Sequence, residues 1–177
     1  MLIDFFETRR LILRKVTEAD AASLFSVWSD PAVTRFMNID TFTNVEQAEQ
    51  MIHFLNQLAD ENRAVRYTLT EKKTEQVIGS CGFNSLDFEN AKAEIGYDLG
   101  RPYWGNGYAG EAVLCLIDYA FHHLQLMRVE AKAEPENLSS IRVLQKTGFS
   151  FEGILRKSEK SKGTFIDLAL YSRLKTD

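Results

Sequence analysis

Three glycines crowd the stretch RPYWGNGYAGEA, Arg101 to Ala112, where a strand-like run gives way to a strongly apolar helical one. Upstream, Ala93 to Leu99 (AEIGYDL) reads as a strand. Downstream, Ala109, Ala112, Val113, Leu116, Ile117, Ala120, Phe121 and Leu124 recur at helical spacing. The glycines therefore sit at a helix N-terminus, where the first backbone N–H groups lack intrahelical partners and the helix dipole is positive. A pyrophosphate can be held there without any basic side chain, and Gly105 and Gly107 let it approach the backbone closely.

Gly105, Gly107 and Gly110 match the dinucleotide fingerprint GxGxxG, with Glu130 about twenty residues on. Three features count against that fold. Gly100 to Trp104 separate the glycines from their strand, too little chain follows Gly110 for a doubly wound sheet, and Glu130 falls within a strand instead of at its end. A nucleoside-triphosphate P-loop fails because no Gly-Lys-Ser/Thr sequence follows the glycines. A pyrophosphate carrier of another kind remains.

Along the chain, Thr8 to Val16 predicts a first strand, and Thr17 with Asp20 a capping box opening a helix that closes near Pro31. Residues Thr34 to Phe42 (TRFMNIDTF) form a loop. Asn44 with Gln47 caps a second helix whose apolar face is Ala48, Met51, Ile52, Leu55 and Leu58. Strands follow at Val65 to Glu71, Val77 to Asn84 and Ala93 to Leu99, the first two joined by a turn at Lys72–Thr74. After the glycine-rich helix come a strand at Met127 to Glu134 and a short helix at Leu138 to Thr147 ended by Gly148. A hairpin from Phe151 to Ser172, turning at Lys162-Gly163, closes the chain. There is no repeat, low-complexity tract or linker, so one domain over residues 1–177 is expected, large enough for a substantial core.

Charges break every apolar stretch well short of a membrane span, and Asp4, Glu7 and Arg9 stand where a signal peptide needs its apolar core. A soluble, cytoplasmic protein with no membrane partner is expected. Cys81 and Cys115 fit free thiols in a strand and a helix better than a disulfide framework. A net charge of −4 argues against direct nucleic-acid binding and mildly favours cationic amines. His53, His122 and His123 suggest no metal site; the adjacent pair suits a helix C-terminus.

The glycine segment resembles the acetyl-CoA motif of the GNAT acetyltransferases, which runs Gln/Arg, two residues, Gly, one residue, Gly/Ala; Trp104, Gly107 and Ala109 occupy those places. Trp104 departs from the general motif but, followed by glycine, is similar to the Rim-type branch, the ribosomal-protein N-terminal acetyltransferases and their relatives. TRRLILRKVTEAD, AEIGYDL, YWGNGYAGEA, PENLSSIRVLQKTGFSFEG and GTFIDLALYS carry the same likeness in order over nearly the whole chain. The resemblance implies an α+β fold, a single GNAT-like domain with a splayed, mostly antiparallel central sheet flanked by helices. It also implies acetyl-CoA as co-substrate, with no metal. The sheet would splay between the strand ending at Leu99 and the one beginning near Met127. The pantetheine arm would then run along Tyr97, Asp98 and Leu99, and the pyrophosphate would rest on Trp104, Gly105, Asn106, Gly107, Tyr108, Ala109 and Gly110. A backbone N–H freed by the splay could serve as an oxyanion donor.

Asn137 and Ser140 read in two ways. Both residue types cap helices; in the Rim-type pattern, the Asn contacts pantetheine and the Ser lies near the thioester sulfur. Many GNAT enzymes carry a tyrosine general acid in this helix, but none occurs between Asn137 and Phe149, which leaves Ser140 to protonate the thiolate. Glu159, in RKSEKSKG, reads on composition as a solvated charge, while its position resembles that of the proposed base in the ribosomal-protein enzymes. Glu94 is the other candidate base, unless it merely fills an exposed strand position. With a reference pKa of about 4.3, a glutamate is a poor direct base, so it would act through water or by orienting the amine. Phe36, Met37 and Phe42 are equally readable as core or as acceptor contacts.

Two function classes follow. One is an N-acetyltransferase working by direct amine attack, with a protein N-terminus as leading acceptor and polyamines, amino acids, amino sugars or aminoglycosides as alternatives. The other is a non-catalytic acetyl-CoA-binding sensor. A cysteine acyl-enzyme would need a positioned His, and neither Cys81 nor Cys115 has an evident partner in sequence, so that rival is open only through spatial neighbours. Monomer and homodimer are both open.

Overall fold

Period-two runs of Val, Ile, Leu, Tyr and Thr build most of the molecule's strands, and all of them join one sheet. The computed structural model describes residues 2–177. Its strands are β1 (Phe5–Glu7), β2 (Leu11–Lys15), β3 (Val65–Glu71), β4 (Gln76–Asp87), β5 (Lys92–Leu99), β6 (Arg128–Ala133), β7 (Ser150–Ser161) and β8 (Thr164–Leu174). Their order is β1-β2-β3-β4-β5-β6-β8-β7. Every neighbouring pair is antiparallel except β5 and β6, which run parallel from Lys92↔Arg128 to Ile95↔Ala131.

The helices are α1 (Ala21–Trp28), α2 (Pro31–Thr34), α3 (Val45–Asp60), α4 (Tyr108–Asp118) and α5 (Leu138–Lys146). The larger core lies between the sheet and α4 with α5, built on Leu13, Tyr67, Leu69, Ile95, Val113 and Leu116. Leu24, Trp28, Phe42, Ala48 and Ile52 form the second core, under α1 and α3. The fold is thus the mixed α/β, mostly antiparallel sheet flanked by helices that the resemblance implies.

Several boundaries differ from expectation. Thr8 does not open a strand: its N–H donates to the Leu11 carbonyl (2.9 Å), closing a turn between β1 and β2. The predicted helix from Thr17 begins as a 3-10 turn, Glu18–Asp20, although its capping box is present. It stops at Trp28, because Asp30 caps a separate short helix with Pro31 at its first position. The apolar run after Asp118 ends in a π-helical turn, Tyr119–His123. The Asn44/Gln47 capping box and the Lys162-Gly163 turn form as predicted, with φ of 49° and 83° at the turn.

Candidate active site

Beyond Ile95, β5 pairs only with β4, while Lys132 and Ala133 of β6 pair with β8. Two parallel strands that part in this way leave a wedge, and one free edge of β5 borders it. An extended ligand with amide groups can lie there as an added strand. The wedge opens into a cleft of about 660 Å³. Tyr97, Asp98, Leu99, Trp104, Gly105, Ala109, Asn137, Ser140 and Glu159 all line it, drawing residues from four separate stretches of sequence into one site.

The glycine loop occupies one end of the cleft. Gly105 and Gly107 have φ of 75° and 80°, the left-handed region that glycine enters at least cost, and Gly107 is the N-cap of α4. Trp104 fixes the loop to the sheet by donating its indole N–H to the Leu99 carbonyl (2.8 Å). Asn106 turns its amide inward, donating to the carbonyls of Tyr103 (3.3 Å) and Trp104 (3.1 Å). Gly110 faces the methyl of Thr147, where an added Cβ would sit at an ordinary contact distance of 3.9 Å. Tyr108 is buried, and its hydroxyl donates to Glu71.

Arg10 and Glu111 form an ion pair beside the glycine loop that sequence reasoning missed. Glu111, in the first turn of α4, accepts from the backbone N–H of Arg10 (2.7 Å), from its Nε (2.7 Å) and from the Thr8 hydroxyl. The guanidinium also donates to the Asn106 carbonyl (2.8 Å) and lies over the Tyr108 ring, 4.3 Å from its centroid. Burial alone would raise the Glu111 pKa, but these donors outweigh it and hold it below the ordinary range. The loop thus has a cation beside it, neutralised by its own helix. About a hundred residues separate the partners, and no local pattern announces such a pair.

Along the wall of the cleft, Asn137 caps α5: its Oδ1 accepts from the Ser140 N–H at 3.3 Å and from the Ser139 hydroxyl at 3.2 Å. The Ser140 hydroxyl lies 2.7 Å from the Tyr97 hydroxyl. Burial pushes the Tyr97 phenol up to about 12, against the opposing effect of the hydrogen bond with Ser140. Asp98, one residue on, points the other way. Its carboxylate is buried, accepts from the Ser80 hydroxyl at 2.6 Å and is raised chiefly by that burial, so only the backbone of Asp98 can serve a ligand in the wedge.

The two candidate bases have different surroundings. Glu94 is bound to Lys132 (Nζ to Oε2, 2.8 Å). Burial acts to lower the Lys132 pKa, but Glu94 first, then Glu130 and Glu159, raise it overall. Glu159 instead accepts from a neutral donor, the Asn38 side-chain amide, which reaches it from the 34–42 loop. Lys162 holds the same loop by donating to the carbonyls of Thr34 (2.6 Å) and Arg35 (3.0 Å). Phe36 and Met37 line the cleft, while Phe42 packs edge-on against Trp28 in the core, with centroids 5.7 Å apart.

Neither cysteine is set up as a nucleophile. Cys81 is fully buried, which drives its thiol far above the ordinary range, and Cys115 is pushed up to about 11, chiefly by burial. Among the described residues there is no cluster of metal-ligating side chains and no helix long and apolar enough to cross a membrane.

A family model described as an acetyltransferase (GNAT) domain matches residues 10–150. An uncharacterized N-acetyltransferase, p20, of Bacillus licheniformis is 53% identical over 96% of both chains. The ribosomal-protein-serine acetyltransferase of Escherichia coli is 32% identical over 58% of this chain and 57% of its own. The crystal structure of ribosomal-protein-S5-alanine acetyltransferase from Vibrio fischeri superposes with a TM-score of 0.81 at 26% identity, covering 98% of this chain and 97% of that one.

Proposed function

The chain belongs to the GNAT acetyltransferase family, and from that premise we propose that it moves the acetyl group of acetyl-CoA to a protein N-terminal α-amine by direct attack within a ternary complex. The observation that carries this reading is the wedge between β5 and β6, which runs from the glycine loop to Glu159. The cleft it opens into, about 660 Å³, is bordered both by the glycine loop and by Glu159, so a thioester and an amine could be held side by side.

Acetyl-CoA would place its pyrophosphate on the free N–H groups from Gly105 to Gly110 and its pantetheine arm along Tyr97–Leu99, with Asn137 beside it. Ser140 would then stand near the sulfur. The amine enters past Phe36, Met37 and Asn38 to Glu159, which orients it and takes its proton through water. At pH 7 an α-amine of pKa about 8 is roughly one-tenth neutral, whereas a lysine amine is only about 0.04% neutral. A site whose base is a carboxylate therefore suits the α-amine. The relatives named for ribosomal-protein acetylation support the same acceptor class.

Thiol release from acetyl-CoA, measured with N-terminal peptides, polyamines, amino acids, amino sugars and aminoglycosides, tests the proposal. Turnover is expected with peptides bearing a free α-amine and should vanish when that amine is blocked. Turnover confined to polyamines or amino sugars would overturn the acceptor assignment, and no thiol release with any amine would leave only a binding protein.

A further inference from the structure

Tyr97 and Ser140 are 43 residues apart in sequence, on β5 and α5, and their hydroxyls meet at 2.7 Å across the wall of the cleft. The Tyr97 hydroxyl can also donate to the Ser140 carbonyl, at the longer distance of 3.3 Å. Either hydroxyl can donate across the 2.7 Å contact; once a thiolate draws the Ser140 proton, Oγ is left as acceptor and the phenolic proton takes this shorter contact in preference to the carbonyl. With Oγ accepting from Tyr97, the serine's own proton points away from the phenol. The serine is held at its backbone too, since Asn137 caps its N–H.

We infer that Tyr97 is a positioning residue which fixes the Ser140 hydroxyl as a hydrogen-bond donor to the departing thiolate of CoA. This rests on the proposed reading of the cleft as an acetyl-CoA site. In the step concerned, the amine nitrogen bonds to the thioester carbon, the carbon–sulfur bond breaks and its electron pair leaves on sulfur. The nitrogen's extra proton departs through water at Glu159, and the thiolate takes up a proton from solvent on release. Tyr97 is not the proton source. Its phenol, raised to about 12 by burial, is several units less acidic than an ordinary thiol near 8.5, so transfer to sulfur would be uphill. A hydrogen bond to the developing charge, in contrast, costs no proton and stabilises sulfur when it most needs it.

The test compares wild type, Tyr97→Phe, Ser140→Ala and the double variant, with CoA and desulfo-CoA as probes. The ultraviolet thiolate absorbance of bound CoA, taken against the desulfo-CoA complex, gives the pKa of the bound thiol. Tyr97→Phe should raise that pKa by about one unit and lower kcat about tenfold, as loss of a charge-assisted hydrogen bond implies, with desulfo-CoA affinity unchanged within about twofold. Ser140→Ala should do the same, and adding Tyr97→Phe to it should cost almost nothing further, since the phenol acts through the serine. An unmoved thiol titration in Tyr97→Phe, or full additivity in the double variant, overturns the inference. Failure of wild type to bind desulfo-CoA overturns the acetyl-CoA reading itself, so the two failures are distinguishable.

Discussion

At Gly107, a positive φ and a close neighbour act together. Any side chain there must adopt φ of 80°, and its Cβ would lie 3.4 Å from an Arg10 guanidinium nitrogen; at Gly105 the φ is 75° but nothing lies within 4 Å. Gly105→Ala and Gly107→Ala should therefore share the backbone cost of about 1 kcal/mol. Gly107→Val adds pressure on Arg10, and through it on the loop. Calorimetric titration with desulfo-CoA should show at least a tenfold weaker site in Gly107→Val, with a lower melting temperature, and a smaller loss in Gly105→Ala. Equal affinities would show that ligand does not approach this backbone. Glu159→Gln should lower turnover at least tenfold with acetyl-CoA affinity unchanged, because it removes the carboxylate that Asn38 presents to the cleft. Glu94→Gln is the paired measurement. It frees Lys132, so it should shift the pH profile of turnover more than its height. If Glu159→Gln is silent while Glu94→Gln abolishes turnover, the assignment of the base is wrong.

Asp20 joins three elements at their edges. It accepts from the Arg14 guanidinium on β2, from the Thr17 N–H ahead of α1 and from the Thr68 hydroxyl on β3. Burial alone would raise its pKa, but the Arg14 pair and the two other donors leave it lowered overall. A carboxylate with a lowered folded pKa contributes stability that is complete above its unfolded value, about 3.9, and is lost as pH falls through the folded value. Asp20→Asn should cost about 2 kcal/mol in urea unfolding at pH 7, and the gap to wild type should narrow progressively as pH falls below about 4. A gap independent of pH would mean that the charge contributes nothing. The elements around this node were largely readable in advance, because their signals are local. The capping boxes at Thr17 and Asn44, the alternation of Val65–Glu71 and the Lys162-Gly163 turn each lie within a few residues of sequence. β1 escaped notice because three residues carry no periodicity, and the π-helical turn because an apolar helix pattern cannot show where its hydrogen bonding shifts by one. The glycine loop and the α5 cap that border the cleft were legible as motifs. Arg10 with Glu111, Asn38 with Glu159 and Tyr97 with Ser140 were not, since only the sheet order brings those partners together.

On the proposed reading of the cleft, two substrates meet across one sheet, which has kinetic consequences. The glycine loop lies at the α4 end of the wedge, while the 34–42 loop and the β7–β8 hairpin bound the other end through Lys162 and Asn38. Nothing requires the first product to leave before the second substrate arrives. Direct attack then gives initial-rate lines that intersect, whereas an acyl-enzyme gives parallel lines and releases CoA with no amine present. The cysteines weigh against the second scheme, since burial keeps both thiols protonated near neutral pH and so removes the nucleophilic form. The Cys81→Ala, Cys115→Ala double variant should therefore retain kcat within about twofold, while losing some stability to the volume vacated beside Tyr67 and Phe83 in the main core. Mass spectrometry of wild type incubated with acetyl-CoA alone should find no acetylated cysteine. A stoichiometric acetyl group on Cys81 or Cys115, chased off by added amine at the rate of turnover, would replace direct attack by a two-step transfer. It would leave the fold, the wedge and the acetyl-CoA site as they stand.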